Sequence, residues 1–152
     1  MGVLVTLAAL AVLSACSPAE KPVIALRVVD GQPTVVLAEC AVFSAKRIAV
    51  FTTKLTPTAK WAIERDGGEE PGTVTLLQPP PGWRVLEQSL VAFEPDIEYS
   101  VAAHGDRNDA ETVRFTLAEV TRLGPEQVLV GSGDERKAIT ETAFRERAKK
   151  VC

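Results

Sequence analysis

From residue 23 onward, apolar positions come in short β-branched runs punctuated by Gly, Pro, Asp and Asn, and no sustained 3.6-residue period appears until the C-terminus. The pattern predicts strands over Val23–Val29, Thr34–Ala38, Arg47–Lys54, Lys60–Arg65, Thr73–Gln78, Arg84–Phe93, Glu98–His104 and Thr112–Leu117, with one more at Gln127–Val130. Asp30-Gly31 is suited to a tight hairpin between the first two. In Arg47–Lys54 both faces begin apolar, as in a central strand, whereas Lys60–Arg65 places Trp61 and Ile63 on one face and predicts Trp61 in the core. A helix is expected over about 136–152, with Thr140 as N-cap, Ile139 stapled on Phe144, and a stripe of Phe144, Ala148 and Val151 docking on the strands. Many short strands and one terminal helix make an all-β sandwich, with residues 23–152 as a single domain.

The segment Phe93-Glu94-Pro95-Asp96-Ile97-Glu98-Tyr99-Ser100-Val101 resembles the approach to strand F of fibronectin type III domains, where an apolar residue, Pro, Tyr and Val recur at this spacing. Phe93 stands where Leu is usual, and Ile97 where Thr is. The resemblance spans about residues 33–118 and implies an immunoglobulin/fibronectin-III-like antiparallel sandwich. It further implies a tyrosine corner at Tyr99, Arg47–Lys54 as strand B, Lys60–Arg65 as strand C and Thr112–Leu117 as strand G. Such a fold does not by itself specify a function.

The first residues follow another rule. Gly2–Ala15 is uncharged and apolar, of signal-segment length and shorter than the roughly 20 residues of a spanning helix. Leu13-Ser14-Ala15-Cys16 resembles the bacterial lipobox, in which an apolar residue and two small residues precede an acylated cysteine. The resemblance implies a signal peptide over 1–15, a lipid-bearing Cys16, and membrane attachment of an extracytoplasmic protein. Only Met1 and Gly2 precede the apolar run, so the Lys or Arg customary there would come from an upstream start. Residues 16–22 read as anchor and tether, with Pro18 and Pro22 in a polar context.

Composition narrows the function classes. The chain has 152 residues, 46% hydrophobic and 24% charged, enough for one ordinary domain with a real core. A net charge of −3 supplies no basic footprint for nucleic acid, so none is expected as a partner. With Cys16 committed to lipid, Cys40 and Cys152 remain as an even pair, and an oxidising compartment favours their disulfide. The alternatives are free thiols, or a metal site that only His104 could join and that would lack ligands.

Other chemistry-bearing residues have bland competitors. Asp106, Asn108, Asp109 and Glu111, following His104, offer oxygens for Ca²⁺ but fail the EF-hand pattern, and the composition suits a solvated turn. Ser132 lies between glycines without a GxSxG frame. Glu69-Glu70 and the trio Glu94, Asp96 and Glu98 have no surroundings that would separate their pKa values for acid–base work. Pro79-Pro80-Pro81-Gly82-Trp83 reads as a stiff connection with Trp83 capping the sandwich, or else as a polyproline step for a partner. Arg145, Arg147, Lys149 and Lys150 complement the last helix's dipole or meet anionic headgroups. The expectation is a lipid-anchored, non-enzymatic envelope module without cofactor, binding a protein or envelope component through loops 66–72 and 105–111. A Ca²⁺-dependent module or enzyme built on loop 104–111, and an accessory subunit of a larger envelope complex, are the alternatives.

Overall fold

The computed structural model describes residues 20–152; the expected signal peptide over 1–15, Cys16 and the expected tether as far as Ala19 lie outside the described residues. The elements, in chain order, are β1 (Ile24–Val29), β2 (Gln32–Leu37), β3 (Arg47–Thr52), β4 (Lys60–Arg65), β5 (Thr73–Thr75), β6 (Trp83–Gln88), β7 (Tyr99–His104) and β8 (Val113–Phe115). Then come α1 (Leu117–Thr121), β9 (Gln127–Val130), β10 (Lys137–Thr140) and α2 (Glu141–Lys149). They form two five-stranded antiparallel sheets, ordered β10-β9-β1-β2-β5 and β6-β4-β3-β7-β8. Facing side chains of the two sheets make one core, in which Leu26, Val35, Ile48, Val50, Trp61, Ile63, Tyr99 and Phe115 are fully buried.

The hairpin joining β1 to β2 turns on Asp30 and Gly31, both at positive φ, the geometry that matches strand twist in a two-residue loop. The expected central strand is central: β3 lies between β4 and β7, and its alternate residues Ile48 and Val50 are buried with Ala49 covered on the other face. The edge strand β6 shifts register against β4 between Ala62 and Ile63, an irregularity that blunts an edge otherwise open to pairing.

Several expectations are corrected. The strand expected over Thr73–Gln78 stops at Thr75, where the chain turns through Leu77 at φ 66, and that expected to reach Phe93 stops at Gln88; only single bonds, Leu76 N–H to Pro33 and Leu90 N–H to Lys60, continue the pairing. The C-terminal helix does not start near residue 136. Lys137–Thr140 pairs with β9, and the helix begins at Glu141 behind the Thr140 cap, whose hydroxyl accepts from the Ala143 N–H at 3.1 Å. Phe144 and Ala148 dock as expected, but Val151 lies past the last helical turn and is 40% exposed. Arg47–Lys54 is not strand B: β3 pairs with β7 on the side away from β8, and in a C-F-G sheet the neighbour of F opposite G is C. By the same order Lys60–Arg65, which lies beyond β3 and does not neighbour β7, does not take the expected strand C position, and β2 lies between β1 and β5 in the other sheet.

The turn into β7 closes as the Tyr99 spacing implies. The Tyr99 hydroxyl accepts from the backbone N–H of Glu94 at 2.7 Å, while its ring meets Phe93 edge-on at 4.9 Å and Phe115 at 5.4 Å. Burial pushes the phenol pKa up, a rise that the Glu94 bond only partly offsets.

Candidate functional site

The two sandwich ends differ, because the chain enters at one of them. Lys21 is stitched to the connection after β7: its N–H donates to the Asp109 carbonyl at 2.9 Å, and its carbonyl accepts from Glu111 N–H at 2.7 Å. Its ammonium reaches the Val151 carbonyl at 3.1 Å. Cys40 and Cys152 are joined there by a disulfide with Cα atoms 5.0 Å apart. The antiparallel register then brings the turns after β2, β4 and β7 to this entry end, and the turns after β1, β3 and β6 to the other.

Both loops singled out from sequence therefore sit at the entry end, and segment 39–46 joins them. The Glu70 carboxylate accepts from the Ala45 N–H, and Arg65 donates to Ser44 Oγ at 2.7 Å. On the other flank Asn108 Nδ2 donates to the Val42 carbonyl at 2.9 Å, and Lys46 lies 3.6 Å from Asp106. Gly105 is needed for this approach, since a Cβ there would stand 3.0 Å from the carbonyl oxygens of both Asn108 and Ser44. Between Ala41–Ser44 and Gly105–Asn108 remains an open depression of about 540 Å³.

The acidic loop spends its oxygens on protein partners. Asp109 meets His104 Nδ1 at 2.9 Å, Asp106 faces Lys46, and Glu111 accepts from Arg147 at 3.1 Å. Among the described residues, no three His, Cys, Asp or Glu side chains converge in a metal-holding group. Ser132 precedes a short 3-10 turn, Gly133–Glu135, and the His104 ring turns to Asp109. The paired carboxylates are apart: Glu69 and Glu70 at the entry end, Glu94, Asp96 and Glu98 at the other. Glu98 is held below the ordinary carboxylate range, first by the Thr53 hydroxyl at 2.9 Å and then by Arg136 at 3.1 Å, against the opposing effect of burial. A carboxylate held ionised in this way is a structural tie.

Trp83 is buried, and its backbone N–H donates to the Pro80 carbonyl, so the Pro79–Trp83 segment offers no exposed aromatic to a partner. The helix cations are mostly paired along α2 or onto the sandwich: Arg145 with Glu141, Arg147 with Glu111, Lys149 with Glu146. The end opposite Lys21 carries a cleft of about 450 Å³, with Pro33, Leu76, Leu77, Phe93 and Leu117 in its lining. Val91 at its rim is 72% exposed, and Leu55 in the neighbouring β3–β4 turn is 42% exposed.

The sequence reading had not singled out Lys21, Val42, Val91 or α1. Only α1 carries a local signal, the Thr116-x-x-Glu119 capping box, in which each side chain bonds the other residue's N–H. No family model, curated protein or solved structure matches this chain.

Proposed function

We propose that the protein is an extracytoplasmic lipoprotein, anchored to a bacterial membrane by lipid on Cys16 and acting as a non-enzymatic binding module of fibronectin-III-like build. The observation that carries the reading is the Cys40–Cys152 disulfide, a bond that persists in oxidising compartments and is rare in the cytosol. It accords with the lipobox-like Leu13-Ser14-Ala15-Cys16 and with the absence, among the described residues, of a helix long and apolar enough to cross a membrane. The fibronectin-like element of the reading is supported by the β1-β2-β5 and β4-β3-β7-β8 neighbourhoods and by the Tyr99 corner.

The test is metabolic labelling with an alkyne fatty acid in a bacterial host, followed by fractionation of wild type and Cys16→Ala. Label and membrane association in wild type, both lost in C16A, are expected. An unlabelled wild type, or a label that survives C16A, refutes the anchor.

The accessory-subunit reading is favoured by one further observation, the exposed Val91 at the rim of a mixed polar and apolar cleft at the end remote from Lys21. Detergent pull-down of wild type and Val91→Asp tests it. A partner retained in fixed ratio by wild type and lost from V91D supports it; a partner held equally by both moves the interface elsewhere.

A further inference from the structure

Residues 41–46, 105–108 and 150–152 share the end at which the chain enters, and that end carries two apolar side chains the fold leaves uncovered. Val42 is 49% exposed and lies two residues beyond Cys40; Val151 is 40% exposed and directly precedes Cys152. The disulfide holds their two segments together, the Asn108 amide fixes the Val42 carbonyl, and the Lys21 ammonium fixes that of Val151. Two exposed valines are thus pinned beside the point where the N-terminal segment joins the sandwich.

Chain length then bears on what they meet. Lys21 is five residues beyond Cys16, so even a fully extended connection spans at most about 18 Å. The six-residue strands running away from Lys21 are themselves about 20 Å long. A lipid on Cys16 therefore keeps the Lys21 end near the bilayer and leaves the Val91 end farther out.

Resting on the lipid-anchor reading above, we propose that the disulfide-tied end of the sandwich lies against the bilayer, with Val42 and Val151 seated in the headgroup interface. Lys150 directly precedes Val151, and its long stem lets the ammonium group reach outward to headgroup phosphates while the methylenes lie along the apolar contact; Lys149 is held by Glu146. Glu20 and Glu39 are exposed at the same end, so the contact is carried by apolar side chains more than by net charge. The loops 66–72 and 105–111 become bilayer-facing, and recognition of other molecules moves to the Val91 end.

The test uses full-length, lipidated protein in phosphatidylcholine vesicles carrying a headgroup-bound quencher lipid. Val42→Cys and Val91→Cys are labelled with a fluorophore without reductant, so that Cys40–Cys152 stays closed. Quenching at position 42 is expected to exceed that at position 91 by at least about twofold, as for groups seated in the interface and remote from it. The difference should survive high salt, which screens charge but not apolar contact. Equal quenching, stronger quenching at 91, or loss of the difference in salt overturns the proposal. So does a V42C disulfide-linked dimer in place of quenching, which assigns the surface to a second copy. Val42→Asp with Val151→Asp, both on exposed side chains, should lower quenching of a label at Arg107→Cys; unchanged quenching counts against the apolar contact. Intact mass of the purified protein separates the two claims. A missing acyl group refutes the anchor, while acylated protein with equal quenching refutes only the orientation.

Discussion

The Tyr99 hydroxyl and the Glu94 backbone N–H are joined at 2.7 Å across the turn that leads into β7. The ring beneath is 1% exposed and packed on Phe93 and Phe115, while Glu94 is exposed, so this bond closes the turn at the edge of the core. Tyr99→Phe is expected to lower unfolding stability by about 1–3 kcal/mol with little change in the far-ultraviolet spectrum. Urea titration checks it; a cost near zero means that water replaces the bond.

The same phenol sets an alkaline limit. Burial raises its pKa in the folded state, so the unfolded chain releases its proton first, and stability falls as pH rises above about 10. Comparison of melting temperatures of wild type and Y99F between neutral and strongly alkaline pH should show a steeper decline for wild type. Parallel curves would remove Tyr99 as the cause.

The Cys40–Cys152 bond closes a loop of 112 residues and ties the end of α2 to the segment after β2. Replacement of both cysteines by Ala is expected to lower stability by about 4–5 kcal/mol in the chain-entropy description. Wild type in reductant should approach the double variant in urea titrations. Indifference of wild type to reductant, with the double variant equally stable, would mean that the bond contributes nothing.

Glu98 joins the start of β7 to Thr53 and to Arg136, the residue before β10. Its pKa is depressed in the folded state, so its contribution is present above the unfolded carboxylate value and is lost as pH falls through the folded one. Glu98→Gln should cost about 1–2 kcal/mol at neutral pH. The gap should narrow below about pH 4. A gap that persists in acid would assign the loss to packing.

Phe144 is fully buried and is the main anchor of α2 on the sandwich, with Ala148 one turn further on. Phe144→Ala should cost about 3–5 kcal/mol, as other large core truncations do. Proteolysis near the C-terminus should quicken before the strands open; simultaneous loss of both would show that the helix is integral to the cooperative unit.

Strands whose signal is local were legible in the sequence. Lys60–Arg65 and Gln127–Val130 have the expected bounds, because alternation and flanking turn residues act within a few positions. β10 was hidden inside the expected helix: Lys137–Thr140 is short and not strongly alternating, and it is extended because β9 offers an edge. α1 has a legible capping box, but so short a helix has little apolar period of its own to mark it in the sequence.

By itself the sequence determined what depends on nearby residues or on counting: the all-β class, the Asp30-Gly31 hairpin, the burial of Trp61, the Tyr99 spacing and a matched pair of cysteines once Cys16 is set aside. Tertiary structure alone decided that β3 lies between β4 and β7, in the sheet that β2 does not share, and that Val151 leaves the core. It also brought loops 66–72 and 105–111 together at the end where Lys21 enters. Those outcomes rest on pairings between residues far apart in the chain, such as Lys21 with Asp109 and Cys40 with Cys152. Such contacts form only when the whole sandwich closes, and no local pattern encodes which end of a strand a distant segment will meet.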